Sequence, residues 1–306
     1  GSGMSALLHG ARAIACGEAG LYLVGGAEHM SRSPLLRHRP EVEPNAPEQD
    51  STFGWRFDNP RFEAMGYRKS MGEAAEAMAR RLGIPRQRQE AFALASHRKA
   101  LAAGASGLLE PELCPVPLPS GGTLETDEGP RPGLDAARLA RLRPAFAEGG
   151  TVSAATAAAF ADGAAALLLG TLESAERLGI EPMARVRAWQ AVGSHPLAMG
   201  LAPVPAIRRL LAREGIPLEA VGVVEIHEAF AATTLACLDA LGLTADDPRV
   251  NAWGGALATG APMGMLGAAL AVRLAHRLRA EPGARFALGA LCVGMGQGMA
   301  LLLERP

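Results

Sequence analysis

Between residues 182 and 306 short apolar runs alternate with amphipathic ones, and glycines cluster where the runs end. "ARVRAWQAVG" (184–193) has the period of a half-covered strand, and "VGVVEI" (221–226) reads as a buried one. Residues 203–214 read as a helix with Pro203 in its first turn, where a missing N–H costs nothing. "EAFAATTLACLDAL" (228–241) and "LGAALAVRLAHRLRA" (266–280) follow as helices. "ARFALGALCVGMGQGMALLLE" (284–304) reads as strand, glycine turn, strand. Strand and helix each have one apolar side to hide, so this order restricts the chain to layered α/β architecture.

The start repeats the pattern. Residues 4–16 read as a helix closed by Gly17, "LYLVGG" (21–26) as a short buried strand, and "ADGAAALLLG" (161–170) as a buried helix or strand. The stretch 31–149 is richer in charge and proline. It opens with "SPLLRHRPEVEPNAPEQ" as an irregular loop, offers helices at 71–82 and 86–103, and continues into the extended "EPELCPVPLP". Amphipathic helices make it an insertion rather than a linker. The expected organisation is a first half from 1–30 and 150–180, an inserted loop domain at 31–149, and a second half at 181–306.

Charge and cysteine usage exclude several classes. Thirty basic residues stand against 31 acidic ones, which argues against a nucleic-acid or anionic-membrane partner. The apolar runs are short and broken by glycine or charge, so none reads as a membrane span. Cys16, Cys114, Cys237 and Cys292 lie far apart with no CxxC, which favours neither a disulfide framework nor a zinc site. The opening residues show no leader pattern, and a reducing cytoplasmic setting is expected.

Three glycine-bearing turns could carry chemistry: "EIHEAF" (225–230), "VNAWGGALATGAPMGMLG" (250–267) and "LCVGMGQG" (291–298). Each follows an apolar segment and would place polar groups at a strand end, a favoured position for sites in α/β folds. Glycines let backbone N–H groups approach a developing oxyanion. Cys292 sits where a strand enters such a turn. Taken alone it is as well explained as a small buried hydrophobe.

At these turns the chain resembles the thiolase family, the CoA-dependent enzymes of Claisen condensation and its reversal. "ARAIACGEAGLYLVGGAEHMSRSP" looks like the family's segment after the nucleophile, and "MGEAAE" (71–76) and "ALASHRKA" (93–100) like two of its loop-domain motifs. "RPAFAEGGTVSA", "EIHEAFAA" and "CVGMGQGMALLLE" follow in the family's order. Several long motifs in sequence are far more specific than one glycine pattern. The resemblance implies two similar α/β/α halves, with a loop domain inserted in the first. It implies CoA or acyl-CoA as substrate, no further cofactor, and a homodimer or homotetramer. Its chemistry needs a cysteine thiolate as acyl acceptor, a histidine to activate it, a second cysteine to move the acetyl-carbon proton, and two oxyanion holes.

Carried over by motif, Cys292, His227 and Gly294 are the catalytic candidates. Met71, Glu228, Thr156, Ala158, Phe230, Gly260 and Ala261 are the substrate-binding candidates. The family's nucleophile lies in a C-x-S-G-L or C-x-S-G-M turn, which Gly1-Ser2-Gly3-Met4 matches after its cysteine. The nucleophile is therefore expected just before Gly1, with the first half incomplete. A cloning remnant ahead of Met4, a truncated piece, a misplaced start and a native short form all stay open. Other departures lie within the chain. The family's "GHP" histidine is here Ala261, and Thr156, Ala158 and Ala161 stand where Asn, Ser and Asn are usual. Two functions are therefore expected to compete. One is an impaired or inactive thiolase-type acyltransferase, the other a non-catalytic thiolase-like subunit that binds CoA or a protein partner.

Overall fold

The computed structural model describes residues 1–53, 59–67 and 69–306. Helix α1 (Ser2–Ala15) leads into strand β1 (Leu21–His29). Helices α2 (Met71–Leu82) and α3 (Arg86–Ala105) follow, and the chain returns as β2 (Asp162–Gly170). Then come β3 (Arg185–Gly193), α4 (Pro203–Glu214), β4 (Val221–Ile226) and α5 (Ala231–Leu241). Helix α6 (Leu266–Ala280) and the hairpin of β5 (Phe286–Val293) and β6 (Gln297–Glu304) end the fold.

Local chemistry sets several of these boundaries. Ser70 accepts the Glu73 N–H at 3.2 Å while the Glu73 carboxylate accepts the Ser70 N–H at 2.7 Å, a reciprocal cap that starts α2. Gly83, at φ 64°, ends it in the left-handed conformation that a side chain would resist. The sequence leaves 161–170 open between helix and strand, and the structure makes it a strand. Alternate residues of β2 are exposed because only one of its faces is covered. Residues 228–230 do not join α5 as expected, since they leave β4 as a loop whose side chains are engaged elsewhere.

The sheet runs in the order β3-β6-β5-β4, with β4 and β5 parallel and the other neighbours antiparallel. One face, through Val224, Ile226, Leu288, Ala290 and Leu302, belongs to a core shared with α4 and α5, and α2 and α3 pack on α5 beyond it. The other, through Val223, Ala287, Leu291 and Leu301, packs on Met4, Leu7 and Leu8 of α1 and Leu274 and Leu278 of α6. Beyond those two helices lies the β1–β2 ribbon, paired antiparallel from Leu21↔Gly170 to His29↔Asp162. The layers thus run helices, sheet, helices, ribbon. On the ribbon's outer face Leu23 is 77% exposed.

Helices α1 and α6 cross very closely. A Cβ on Gly267 would lie 2.2 Å from the Met4 backbone nitrogen, and one on Gly3 would lie 2.8 Å from the Gly264 carbonyl oxygen. Backbone cannot yield as a side chain can. Gly267→Ala is expected to destabilise the fold by about 1–3 kcal/mol, as overpacking does. Urea unfolding would show this as a lower midpoint with an unchanged slope.

Candidate active site

The parallel pairing of β4 and β5 places the site. Ile226 is registered with Ala290, and the His227 N–H donates to the Ala290 carbonyl at 2.9 Å. His227, just past the end of β4, and Cys292, next to last in β5, therefore lie at the same ends of adjacent strands, where α/β folds collect ligands. The start of α1 reaches this point too: a Cβ on Gly1 would lie 2.8 Å from Val293 Cγ2. Gly294 follows Cys292, and a Cβ there would meet nothing within 4 Å, so the turn borders open space. Gly296, at φ 81°, passes so close to the Ser194 carbonyl that a Cβ would sit 2.4 Å from its oxygen.

Electrostatics defines the resting state. Burial pushes the His227 imidazole down to about 4. Burial pushes the Cys292 thiol up to about 11. Near neutral pH the site therefore holds a neutral imidazole and a protonated thiol.

An alanine-rich segment joins the other candidates to this centre. Ala157 forms an antiparallel bridge with Phe230, the Ala158 N–H donates to the Ala229 carbonyl at 3.0 Å, and the Ala261 N–H donates to the Ala159 carbonyl at 2.8 Å. Ala158, Phe230, Gly260 and Ala261 are thus brought onto one backbone scaffold beside His227. Gly260 is at φ 90°, and a Cβ there would press on the Ala161 methyl at 2.7 Å. Ala261 is buried, and its methyl can neither take nor give a proton.

Other candidates are engaged within the fold. Glu228 is 1% exposed, and its carboxylate accepts from Ser96 Oγ at 2.6 Å, Asn251 Nδ2 at 2.8 Å and the Leu257 N–H at 3.2 Å. Burial raises its carboxyl's pKa, and these hydrogen bonds oppose the shift. Thr156 is fully buried, and its Oγ1 accepts the Ser153 N–H at 2.9 Å, closing a local turn. Phe230 stacks edge-on against Phe146 with centroids 5.8 Å apart. Met71 opens α2 and packs half-buried against the main core. Trp253 packs on Ala103 and Leu109 with the Arg273 guanidinium over its ring. Sequence reading missed Ser96 and Asn251. Ser96 lies 132 residues from Glu228, and no local pattern announces that contact. Among the described residues, no group of three or more His, Cys, Asp or Glu is placed to hold a metal, and no helix is long and apolar enough to cross a membrane.

Comparison with known proteins decides the family. Residues 1–173 match the thiolase N-terminal domain, and residues 180–305 match the thiolase C-terminal domain. The chain belongs to the thiolase family. It is 40% identical over 311 aligned residues to the beta-ketoadipyl-CoA thiolase of Acinetobacter baylyi, covering 100% of this chain and 77% of that thiolase. It is 42% identical to the 3-oxoadipyl-CoA/3-oxo-5,6-dehydrosuberyl-CoA thiolase of Escherichia coli, with the same coverage. The thiolase fold is equally clear. Human mitochondrial 3-ketoacyl-CoA thiolase in complex with CoA superimposes with a TM-score of 0.91 at 31% identity, over 100% of this chain and 76% of that one. The acetyl-CoA acetyltransferase of Bacillus anthracis gives 0.87 at 33% identity, over 100% and 77%.

Proposed function

We propose that the ends of β4 and β5 form an acyl-CoA acyl-transfer site of thiolase type, weakened in this chain by Ala261. One observation supports this above the others: the paired ends of β4 and β5 bring His227 and Cys292 together with the start of α1 at one half-buried spot. A cysteine joined to Gly1 would enter that spot, where the family's C-x-S-G motif expects the acyl acceptor. Its thiolate would take the acyl group as the carbon–carbon bond of a 3-ketoacyl-CoA breaks. The Cys292 thiol, protonated at neutral pH, would give its proton to the departing acetyl carbon. Neutral His227 would donate to a thioester oxygen, as would N–H groups of the Gly294 turn. A CoA thiol would then give its proton to the Cys292 thiolate and attack the acyl thioester, carrying off the acyl group and expelling the acceptor cysteine as its thiolate.

A second reading is favoured by the alanines. Ala261 cannot activate a thiol, and Ala158 and Ala161 offer no side-chain hydrogen bonds where the family has polar groups. A chain so altered could serve as a non-catalytic subunit that binds CoA or a protein partner. Both readings include a homo-oligomer, supported by the exposed leucine face of the ribbon. CoA is expected to bind more weakly than about 1 μM, because the lost polar contacts leave mainly shape to hold it. Titration calorimetry checks this, and submicromolar affinity would show that positions 156, 158 and 161 matter little.

A further inference from the structure

Asn251 stands at an unusual point behind the site. It has φ 41°, a left-handed conformation that costs a non-glycine residue energy unless its side chain is well used. The side chain is fully used. Its Oδ1 accepts the Ile226 N–H at 2.8 Å, and its Nδ2 donates to the Ile226 carbonyl at 2.9 Å and to Glu228 Oε1 at 2.8 Å. One amide thus grips the residues on both sides of His227. Its own N–H donates to the Val224 carbonyl at 2.9 Å, which anchors the amide to β4. Ser96 completes the frame: its hydroxyl donates to Glu228 and accepts the Gly255 N–H at 3.0 Å, linking α3 to the glycine loop that carries Ala261.

We infer that Asn251 is a positioning residue that fixes the Ile226 backbone before His227 and the Glu228 side chain after it, and so holds His227 in the site. This rests on the reading that His227 belongs to the active site, yet its test needs no turnover. A residue leaving a strand with both neighbours pinned has little freedom to swing, so His227 keeps its half-buried surroundings. Burial sets its charge state. The titratable groups packed around it are the Cys292 thiol near the end of β5 and Glu228, whose carboxylate is held by Ser96, Asn251 and Leu257.

The test is nitrogen-15 NMR titration of the seven histidines, with His227→Asn assigning the signal. Two variants probe the amide. Asn251→Gly suits the left-handed backbone without strain and removes the side chain. Asn251→Asp keeps the shape and the Ile226 acceptor, but loses both donors and faces the Glu228 carboxyl. Leu210→Val, in the core on α4, is the control for general loss of stability. In the unaltered chain His227 is expected to titrate near 4. Both Asn251 variants are expected to move it upward by about one pH unit or more as water enters, with a broadened signal. Leu210→Val should leave it in place. The inference is overturned if Asn251→Gly folds and His227 keeps its titration and line width. It is equally overturned if Leu210→Val moves the signal as far. Should Asn251→Asp not fold, Asn251→Gly decides alone. Should neither fold, Ser96→Ala is measured, and an unmoved His227 overturns it. Failure of acyl transfer with a shifted His227 would count against the proposed function alone.

Discussion

Acetoacetyl-CoA thiolysis is expected to be negligible in the 306-residue chain and to rise only when two groups are supplied together. The comparison needs four proteins: the chain itself, Ala261→His, the chain with a cysteine joined to Gly1, and the two changes combined. A cysteine alone enters a site with no imidazole at position 261 to take its proton. His227 titrates near 4 and is too weak a base to hold much thiolate near neutral pH. Ala261→His alone supplies a base with no acyl acceptor. Members of a catalytic set act as a unit, so each single change should recover little. The combination should exceed the cysteine-only protein by about 10²–10⁴-fold in turnover, the usual worth of a general base. Equal rates with and without Ala261→His would show that the alanine does not limit this site.

Arg277→Met is expected to cost about 3–5 kcal/mol of stability, the usual result of stranding one partner of a buried ion pair. Arg277 is fully buried on α6, 2.8 Å from Glu225 of β4 and 2.7 Å from Glu281, and it also donates to the Arg249 carbonyl. Burial already pushes the Glu225 carboxyl up, with Arg277 as the main opposing influence. Without the guanidinium, its pKa in the folded state rises further above the unfolded value. The folded state then holds a proton that the unfolded state releases, so stability falls as pH rises through that raised value. The deficit should therefore shrink on acidification. Arg277→Met with Glu225→Gln should recover most of the loss, since a removed pair leaves no bare charge. Denaturant melts across pH check both statements.

The sequence carries its elements best where start and stop signals are local. Residues 71–82, 203–214, 221–226 and 266–280 match α2, α4, β4 and α6 to the residue. Ser70 with Glu73, Pro203, and Gly83 and Gly215 in left-handed conformation are signals a sequence displays directly. Legibility fades where a tertiary partner decides. The run 161–170 is apolar enough for either period, and only its pairing with β1 makes it a strand. Helix α5 starts three residues late because Glu228 is drawn toward Ser96 and Asn251, which no nearby residue foretells. Motif order brought His227, Cys292 and Gly294 forward as candidates, and the fold gathers them at one strand end. It could not tell that the polar atoms of Thr156 and Glu228 are taken up by hydrogen bonds inside the fold. Motifs preserve position, whereas burial and hydrogen bonding assign the task.

Cys292 offers the most direct test, because it is read as a proton donor and not as the acyl acceptor. Its alkylation by iodoacetamide in the 306-residue chain, followed by peptide mass spectrometry across pH, reports its thiolate directly. The rate should be slow near neutral pH and climb about tenfold per pH unit until it levels near 11. A fast rate that levels below about pH 8 would mean a thiolate at neutral pH. It would make Cys292 itself the nucleophile and contradict the assignment of acyl transfer to a residue joined to Gly1.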